Sequence, residues 1–242
     1  MKTPASRPEI VTSDGEVMSA TTQEEQKRAV GRAAVSYVQD GMVLGVGTGT
    51  TAAHFIAGLI EARPAVKAFV ASSERSAAAL RGAGLEVTDL DAAGPVDLYV
   101  DGADEIDAQF RMIKGGGGAH TREKIVAAAS GLFVCIVDES KLVARLGAFP
   151  LPLAVVPMAK GLVTRSVTAM GGIVTERAGF LTDDGDLVLD VAGLDFSDPD
   201  ALELQLDALP GVVECGVFAR RPADVLLRGT PAGVEVTSRA SA

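Results

Sequence analysis

Between residues 22 and 39 apolar positions recur every three or four residues in TQEEQKRAVGRAAVSYVQ. That spacing predicts an amphipathic helix, with Thr22 as its N-cap and Glu25 three residues on. A repeated plan follows. MVLGVG, VKAFVA, LEVTDL, VDLYV and LFVCIV are short apolar runs. TAAHFIAGLIEA and RSAAALRGAG between them have helical spacing, the second stopped by Gly84. Continuous apolar runs alternating with helices predict a mostly parallel sheet buried on both faces.

After Pro150 the pattern changes. LAVVP and GGIVTERA read as strands, AKGLVTRSVTAM between them as a helix, and Asp184-Gly185 as a turn into a further strand. DPDALELQLDAL reads as a helix capped near Asp198 with Pro199 at its first position, and GVVECGVFA closes the set. The order β-α-β-β-α-β is the ferredoxin-like plan. The expected fold is therefore α/β. An open, mostly parallel sheet flanked by helices spans 22–150 plus about 219–238, where the tail ADVLLRGTPAGVEV returns. A smaller ferredoxin-like α+β domain spans 151–218. Residues 1–21 are polar, carry two prolines and lack the apolar core of a signal peptide, so a disordered extension is expected there.

Composition changes the picture in three ways. Aromatics are 4% with no Trp, so the core must be built from Val, Leu, Ile and Ala. The formal charge of −10 argues against nucleic-acid or anionic-lipid partners, and an anionic substrate then needs a local positive pocket. No stretch is long and apolar enough to span a membrane. Cys135 and Cys215 sit in apolar runs and read as buried thiols, which fits a cytoplasmic protein.

Four apolar runs end in polar clusters: TGTT, SSE, DGADE and DESK. In open α/β sheets ligands sit at the carboxyl ends of the strands, so these distant clusters should meet along one edge. GVGTGTT, residues 45–51, lies between a strand and a helix, where glycines and a helix N-terminus favour an anion. It is neither a P-loop nor G-x-G-x-x-G, because no Lys follows and Thr50 replaces the third glycine. It resembles the loop of S-adenosylmethionine-dependent methyltransferases, with Glu74 as a ribose ligand, but Gly45 stands where those enzymes carry an acid. An ordinary Thr-capped turn is the plain alternative.

In DGADEID, Asp101, Asp104, Glu105 and Asp107 could hold a hard cation, act on sugar hydroxyls, or simply be solvated. The spacing does not match an EF-hand. Asp101 ends a buried strand, which argues against a solvated role. Glu105 and Asp107 read as surface residues. In KGGGGAHTREK close backbone approach to a ligand is one reason for the glycines, Lys114 is a compact cation, and Glu123 falls in the first turn of a helix; a flexible loop before a helix with a charged first turn is the plain alternative. His54 reads as structural. His120 lies near Glu123, but one His makes neither a triad nor a zinc site.

Together GVGTGTTAAHFI, YVDGADEID, KGGGGAHTREKI and FPLPLAVVPMA, in this order and spacing, resemble ribose-5-phosphate isomerase of the A type, from about Thr22 to Val236. The resemblance implies interconversion of D-ribose 5-phosphate and D-ribulose 5-phosphate through an enediolate, in the pentose phosphate pathway, without metal or organic cofactor. It implies Glu123 as base, Asp101 assisting ring opening, Asp104 supporting the sugar hydroxyls, and Lys114 with the glycine N–H groups stabilising the oxyanion. Thr48, Gly49, Thr50, Thr51, Gly102, Ala103, Gly115, Gly116, Gly117 and Lys141 would line the substrate site, with Lys27 ranked below them. Homodimers or homotetramers are implied as well. Two departures stand out: Thr50 where many members carry Ser, and His120 where many carry Leu. A sugar-phosphate-sensing module remains a non-enzyme alternative, disfavoured by the acidic charge.

Overall fold

The computed structural model describes residues 20–239. In chain order the first part holds α1 (Ala20–Ala34), β1 (Val43–Val46), α2 (Thr50–Ala62), β2 (Ala68–Ala71), α3 (Glu74–Gly82), α4 (Leu90–Ala93) and β3 (Val96–Asp101). Two-residue strands β4 (Glu105–Ile106) and β5 (Met112–Ile113) precede α5 (His120–Ala129) and β6 (Ser130–Asp138). Then come β7 (Leu151–Val155), α6 (Lys160–Ala169), β8 (Ile173–Leu181), β9 (Leu187–Ala192), α7 (Pro199–Asp207) and β10 (Val212–Cys215). The chain ends with β11 (Val217–Phe218), β12 (Val225–Thr230) and β13 (Gly233–Ser238).

The large sheet has the order β13-β12-β6-β3-β1-β2. Its neighbours run parallel except for β12 and β13, an antiparallel pair that brings the tail back to the first sheet. β1 is buried along its whole length, as a strand covered on both faces must be. One face packs around Tyr99, Phe133, Met112 and Phe218, the other around Phe55, Leu59, Leu44 and Leu80. Scarcity of aromatics is thus met by placing the few rings at the centre.

The second sheet, β10-β7-β9-β8, is antiparallel and carries the strand order of a ferredoxin-like unit. Asp198 accepts from the Ala201 N–H at 3.1 Å, so the expected cap and the Pro199 start are both present. Gly185 closes the β8–β9 hairpin with φ +89. This sheet's core includes Ile113, Leu146 and Val217, so apolar residues outside 151–218 contribute to it. A third sheet, β11-β5-β4, joins the two and has no counterpart in the sequence-based expectation, because two-residue strands are too short to show a period.

Three local expectations change. α1 starts at Ala20, so Thr22 lies inside its first turn and is not the cap. Ala20 and Thr21 therefore belong to a helix, and the rest of the expected extension, 1–19, lies outside the described residues. LEVTDL forms a single bridge, Val87 to Phe69, and not a strand of its own.

Candidate active site

The parallel strands β1, β3 and β6 end side by side, and their exits build one cavity. Thr48, Gly49, Thr50 and Thr51 form one wall at the start of α2. Gly102, Ala103 and Asp104 come from the end of β3, and Lys141 from the turn after β6. Lys114, Gly115, Gly116, Gly117 and Glu123 form the opposite wall, and Lys27 of α1 reaches in from the side. The SSE cluster stands one layer back: Thr48 Oγ1 meets Ser73 Oγ at 2.7 Å and Ser72 Oγ at 3.2 Å.

Asp101 is fully buried and does not line the cavity. Its Oδ1 accepts the N–H groups of Thr48 (2.9 Å) and Gly102 (2.7 Å). Its Oδ2 accepts the Tyr99 hydroxyl (2.5 Å) and Lys114 Nζ (2.8 Å). Gly47 makes this possible, since a Cβ there would lie 2.0 Å from Oδ1. That glycine serves a carboxylate of the protein itself. Burial and then the Asp101 and Glu123 charges push the Tyr99 pKa well above its ordinary value, so the phenol stays a donor.

Lys114 is held from three sides. Its backbone N–H donates to the Gly216 carbonyl at 2.9 Å. Its ammonium touches Asp101, the Gly102 carbonyl (2.5 Å) and Glu123 Oε2 (3.2 Å). Burial works against that charge, but Asp101 and Glu123 outweigh it and keep the lysine protonated. Glu123 is also buried. Burial raises its pKa, Lys114 lowers it, and Asp101 raises it again, leaving the carboxyl pushed up to about 8. A carboxylate this reluctant to ionise is a better proton acceptor once ionised.

The four glycines are not all spent on a ligand, as the sequence suggested. A Cβ on Gly116 would lie 2.5 Å from Asp104 Oδ1, and one on Gly118 2.3 Å from Phe180. Gly115 is at φ +101 and faces His120. Only Gly117 has open space, its nearest neighbour being Thr48 Cγ2 at 3.9 Å.

Glu105 and Asp107 are corrected from solvated to buried. Glu105 accepts the Gly147 and Phe149 N–H groups at 2.7 and 2.5 Å. Asp107 accepts the Gln109 and Arg111 N–H groups and the Arg111 side chain at 2.7 Å. They act as caps for loops, so DGADEID does not gather into a cation cage. Among the described residues one group has metal-ligand spacing, Asp207, Glu214 and Cys215, and Lys124 Nζ already sits against it, 2.6 Å from Glu214 and 3.7 Å from the Cys215 sulfur.

His120 is buried with Nε2 3.3 Å from the Glu214 carbonyl, and it does not line the cavity. Burial and the nearby cations Lys124, Arg177 and Lys114 push it down to about 3. Its ring is neutral at working pH. His54 pairs with Glu24 at 2.8 Å, which fits its structural reading. Gly45 packs so that a Cβ would lie 2.8 Å from both Tyr99 and Val126, which leaves no room for a methyltransferase acid. Glu74 stands outside the cavity, paired with Arg122 at 2.8 Å.

Sequence reasoning missed the supports. Gln26 Nε2 donates to Glu139 at 2.8 Å and ties the Lys27 helix to the Lys141 turn. Tyr99 and the β8 residues Arg177 and Phe180 brace the site from behind. Tyr99, one of two tyrosines, two residues before Asp101 on one strand face, was the only one with a readable signal.

The profile of the family described as ribose 5-phosphate isomerase A (phosphoriboisomerase A) matches residues 68–233. A curated relative, ribose-5-phosphate isomerase A of Bordetella petrii, is 53% identical over 222 residues, covering 90% of this chain and 99% of its own. The crystal structure of ribose 5-phosphate isomerase A from Neisseria gonorrhoeae is similar at TM-score 0.89 and 43% identity, covering 91% of this chain and 99% of that one. A D-ribose-5-phosphate isomerase in complex with phospho-erythronic acid is similar at TM-score 0.86 and 33% identity, covering 89% and 99%. On fold, sequence and coverage alike, the chain belongs to the ribose 5-phosphate isomerase A family.

Proposed function

We propose that this cavity interconverts D-ribose 5-phosphate and D-ribulose 5-phosphate, a step of the non-oxidative pentose phosphate pathway, using only its own side chains. One observation carries the reading. A buried carboxylate with raised pKa, Glu123, stands 3.2 Å from a buried ammonium, Lys114, on the wall of one cavity. In the open-chain aldose, the Glu123 carboxylate takes the proton from C2. The C2–H electrons form the C1–C2 double bond, and negative charge collects on O1. Lys114 and the glycine-loop N–H groups meet that charge. Glu123 then returns the proton to C1, while the O2 hydroxyl proton passes to O1 and leaves a ketone at C2.

Asp104 faces the sugar hydroxyls. Asp101 assists ring opening through Lys114, from one layer behind the wall. Thr48, Thr50, Thr51 and the α2 N-terminus, with Lys27 and Lys141, supply donors and positive charge for the phosphate, which an overall acidic chain must gather locally. Gly49, Gly102, Ala103, Gly115, Gly116 and Gly117 complete the substrate contacts. The reading divides the chain into a catalytic unit, 22–150 plus about 219–238, and a smaller unit, 151–218. It places the protein in the cytoplasm as a homodimer or homotetramer. Exposed apolar residues such as Met158, Ile173 and Leu162 favour self-association, and light scattering reports the mass. No helix among the described residues is long and apolar enough to cross a membrane.

A coupled assay for ribulose 5-phosphate formed from ribose 5-phosphate tests the reaction. Glu123→Gln should abolish turnover while substrate still binds; near-normal turnover would sink the assignment of the base. Activity should survive EDTA, and a loss restored by Mg²⁺ would overturn the cofactor-free reading.

A further inference from the structure

The catalytic glycine loop is gripped from outside its own sheet. Arg177, on β8 of the smaller sheet, places Nη1 3.1 Å from the Gly116 carbonyl and 3.4 Å from the Gly115 carbonyl. Asp190 on the neighbouring strand β9 aims the guanidinium, at 3.0 Å to Nε and 2.5 Å to Nη2. The Phe180 ring lies 5.2 Å from the guanidinium carbon and also covers Gly118. Arg177 lies in a groove on the far side of the loop and does not line the cavity, whereas Gly116 borders both.

Peptide geometry turns this grip into a statement about the cavity. In a trans peptide the N–H points opposite to the C=O. The Gly115 carbonyl, which accepts from Arg177 and from the Gly118 N–H at 2.8 Å, belongs to the peptide whose N–H is that of Gly116. That N–H does point the other way, to Asp104 Oδ2 at 2.7 Å. The Gly116 carbonyl likewise belongs to the peptide whose N–H is that of Gly117. With the carbonyl held at Arg177 on the groove side, the Gly117 N–H turns away from the groove, and Gly117 itself lines the cavity and not the groove. Glycine has the widest choice of backbone conformations, so a run of four needs an external restraint to keep one peptide orientation. A cation on the carbonyl also polarises the peptide and strengthens its N–H as a donor.

We propose that Arg177 is a positioning residue that holds the Gly116–Gly117 peptide with its N–H directed at the developing enediolate oxygen. The inference rests on the isomerase reading above. The smaller unit thereby takes part in catalysis without touching substrate.

The test uses the full chain with Arg177→Ala, Arg177→Lys and Asp190→Asn. For Arg177→Ala, kcat should fall by about 10-fold or more, since a lost oxyanion donor typically costs more than that and a misoriented one somewhat less. KM should change little, and the acid limb of the pH profile should stay where wild type has it, because Glu123 is untouched. Added guanidinium should restore part of kcat. Inhibition by phospho-erythronate, whose carboxylate imitates the enediolate, should weaken while inhibition by inorganic phosphate does not. Arg177→Lys and Asp190→Asn should fall between Arg177→Ala and wild type, and they carry the test if Arg177→Ala does not fold. Wild-type kcat in all three variants would overturn the proposal. So would a loss confined to KM and to phosphate inhibition, which would assign the N–H to the phosphate. Inactive wild type in the coupled assay would remove the isomerase reading itself, a result separate from either.

Discussion

Asp101 and Asp104 share a seven-residue stretch with Glu105 and Asp107, yet the two pairs do different work. Asp104 borders the cavity, and Asp101 fixes Lys114 and Thr48 beside it. Glu105 and Asp107 point away, into the joint between the sheets, where their oxygens close loops through backbone N–H groups. All but Asp104 are buried, so burial does not separate the acids at the cavity from those that close loops. Their partners do. Glu105 and Asp107 are satisfied by loops away from the cavity, whereas Asp104 and Asp101 are satisfied by the glycine loop and the Lys114 ammonium that line it.

The largest effect that tests this contrast is Asp101→Asn. Each Asp101 oxygen accepts two donors, so a carboxamide confronts two donors whichever way it turns. The kcat/KM should fall about 100-fold, in the range of a lost acid–base assist. A folded variant with wild-type turnover would break the comparison. Glu105→Gln should do the reverse, costing about 2 kcal/mol of stability by leaving one buried N–H without an acceptor. Its kcat should stay at the wild-type value, as urea titration and the coupled assay would report together. Asp107→Asn keeps the acceptor Oδ1 and loses a half-buried pair with Arg111, so a smaller cost of about 1 kcal/mol is expected.

The pH response sharpens the same contrast. If Glu123 is the base, as proposed, its ionised form is the active one, and kcat/KM should rise with pH along a limb displaced well above the ordinary carboxylate range, toward about 8. Stability should move the opposite way. The unfolded carboxyl ionises near 4.5 and the folded one near 8, so the unfolded chain loses its proton first. Wild-type stability then declines as pH rises between those values. Glu123→Gln lacks this decline, and its melting temperature should exceed wild type by more at pH 9 than at pH 5. Equal margins at both pH values would contradict the raised pKa. The smallest effect belongs to His120. Held neutral down to about 3, it should contribute nothing to the profile, so His120→Leu should leave the limb in place.

Much of this was legible in the chain. The strand-end clusters TGTT, DGADE and DESK do meet at one cavity, because parallel strands all exit on the same edge. Lys114 and Glu123 were readable only together, as a cation before four glycines and an acid in the first turn of the helix after them, and the family resemblance then gave each its expected role. Glu105 and Asp107 were misread because their partners, Gly147, Phe149 and Arg111, announce themselves only when loops close. Arg177 carried no signal, since its targets are carbonyl oxygens that every residue possesses.

Sequence periodicity alone determined the parallel sheet, the ferredoxin-like unit and which residues stand at strand ends, since burial of an apolar face dictates the period. The tertiary structure decided which glycines leave open space, which acids are caps, and that the smaller sheet reaches the glycine loop. Those outcomes depend on distances between segments far apart in the chain, and a local pattern of polar and apolar residues carries no such distances.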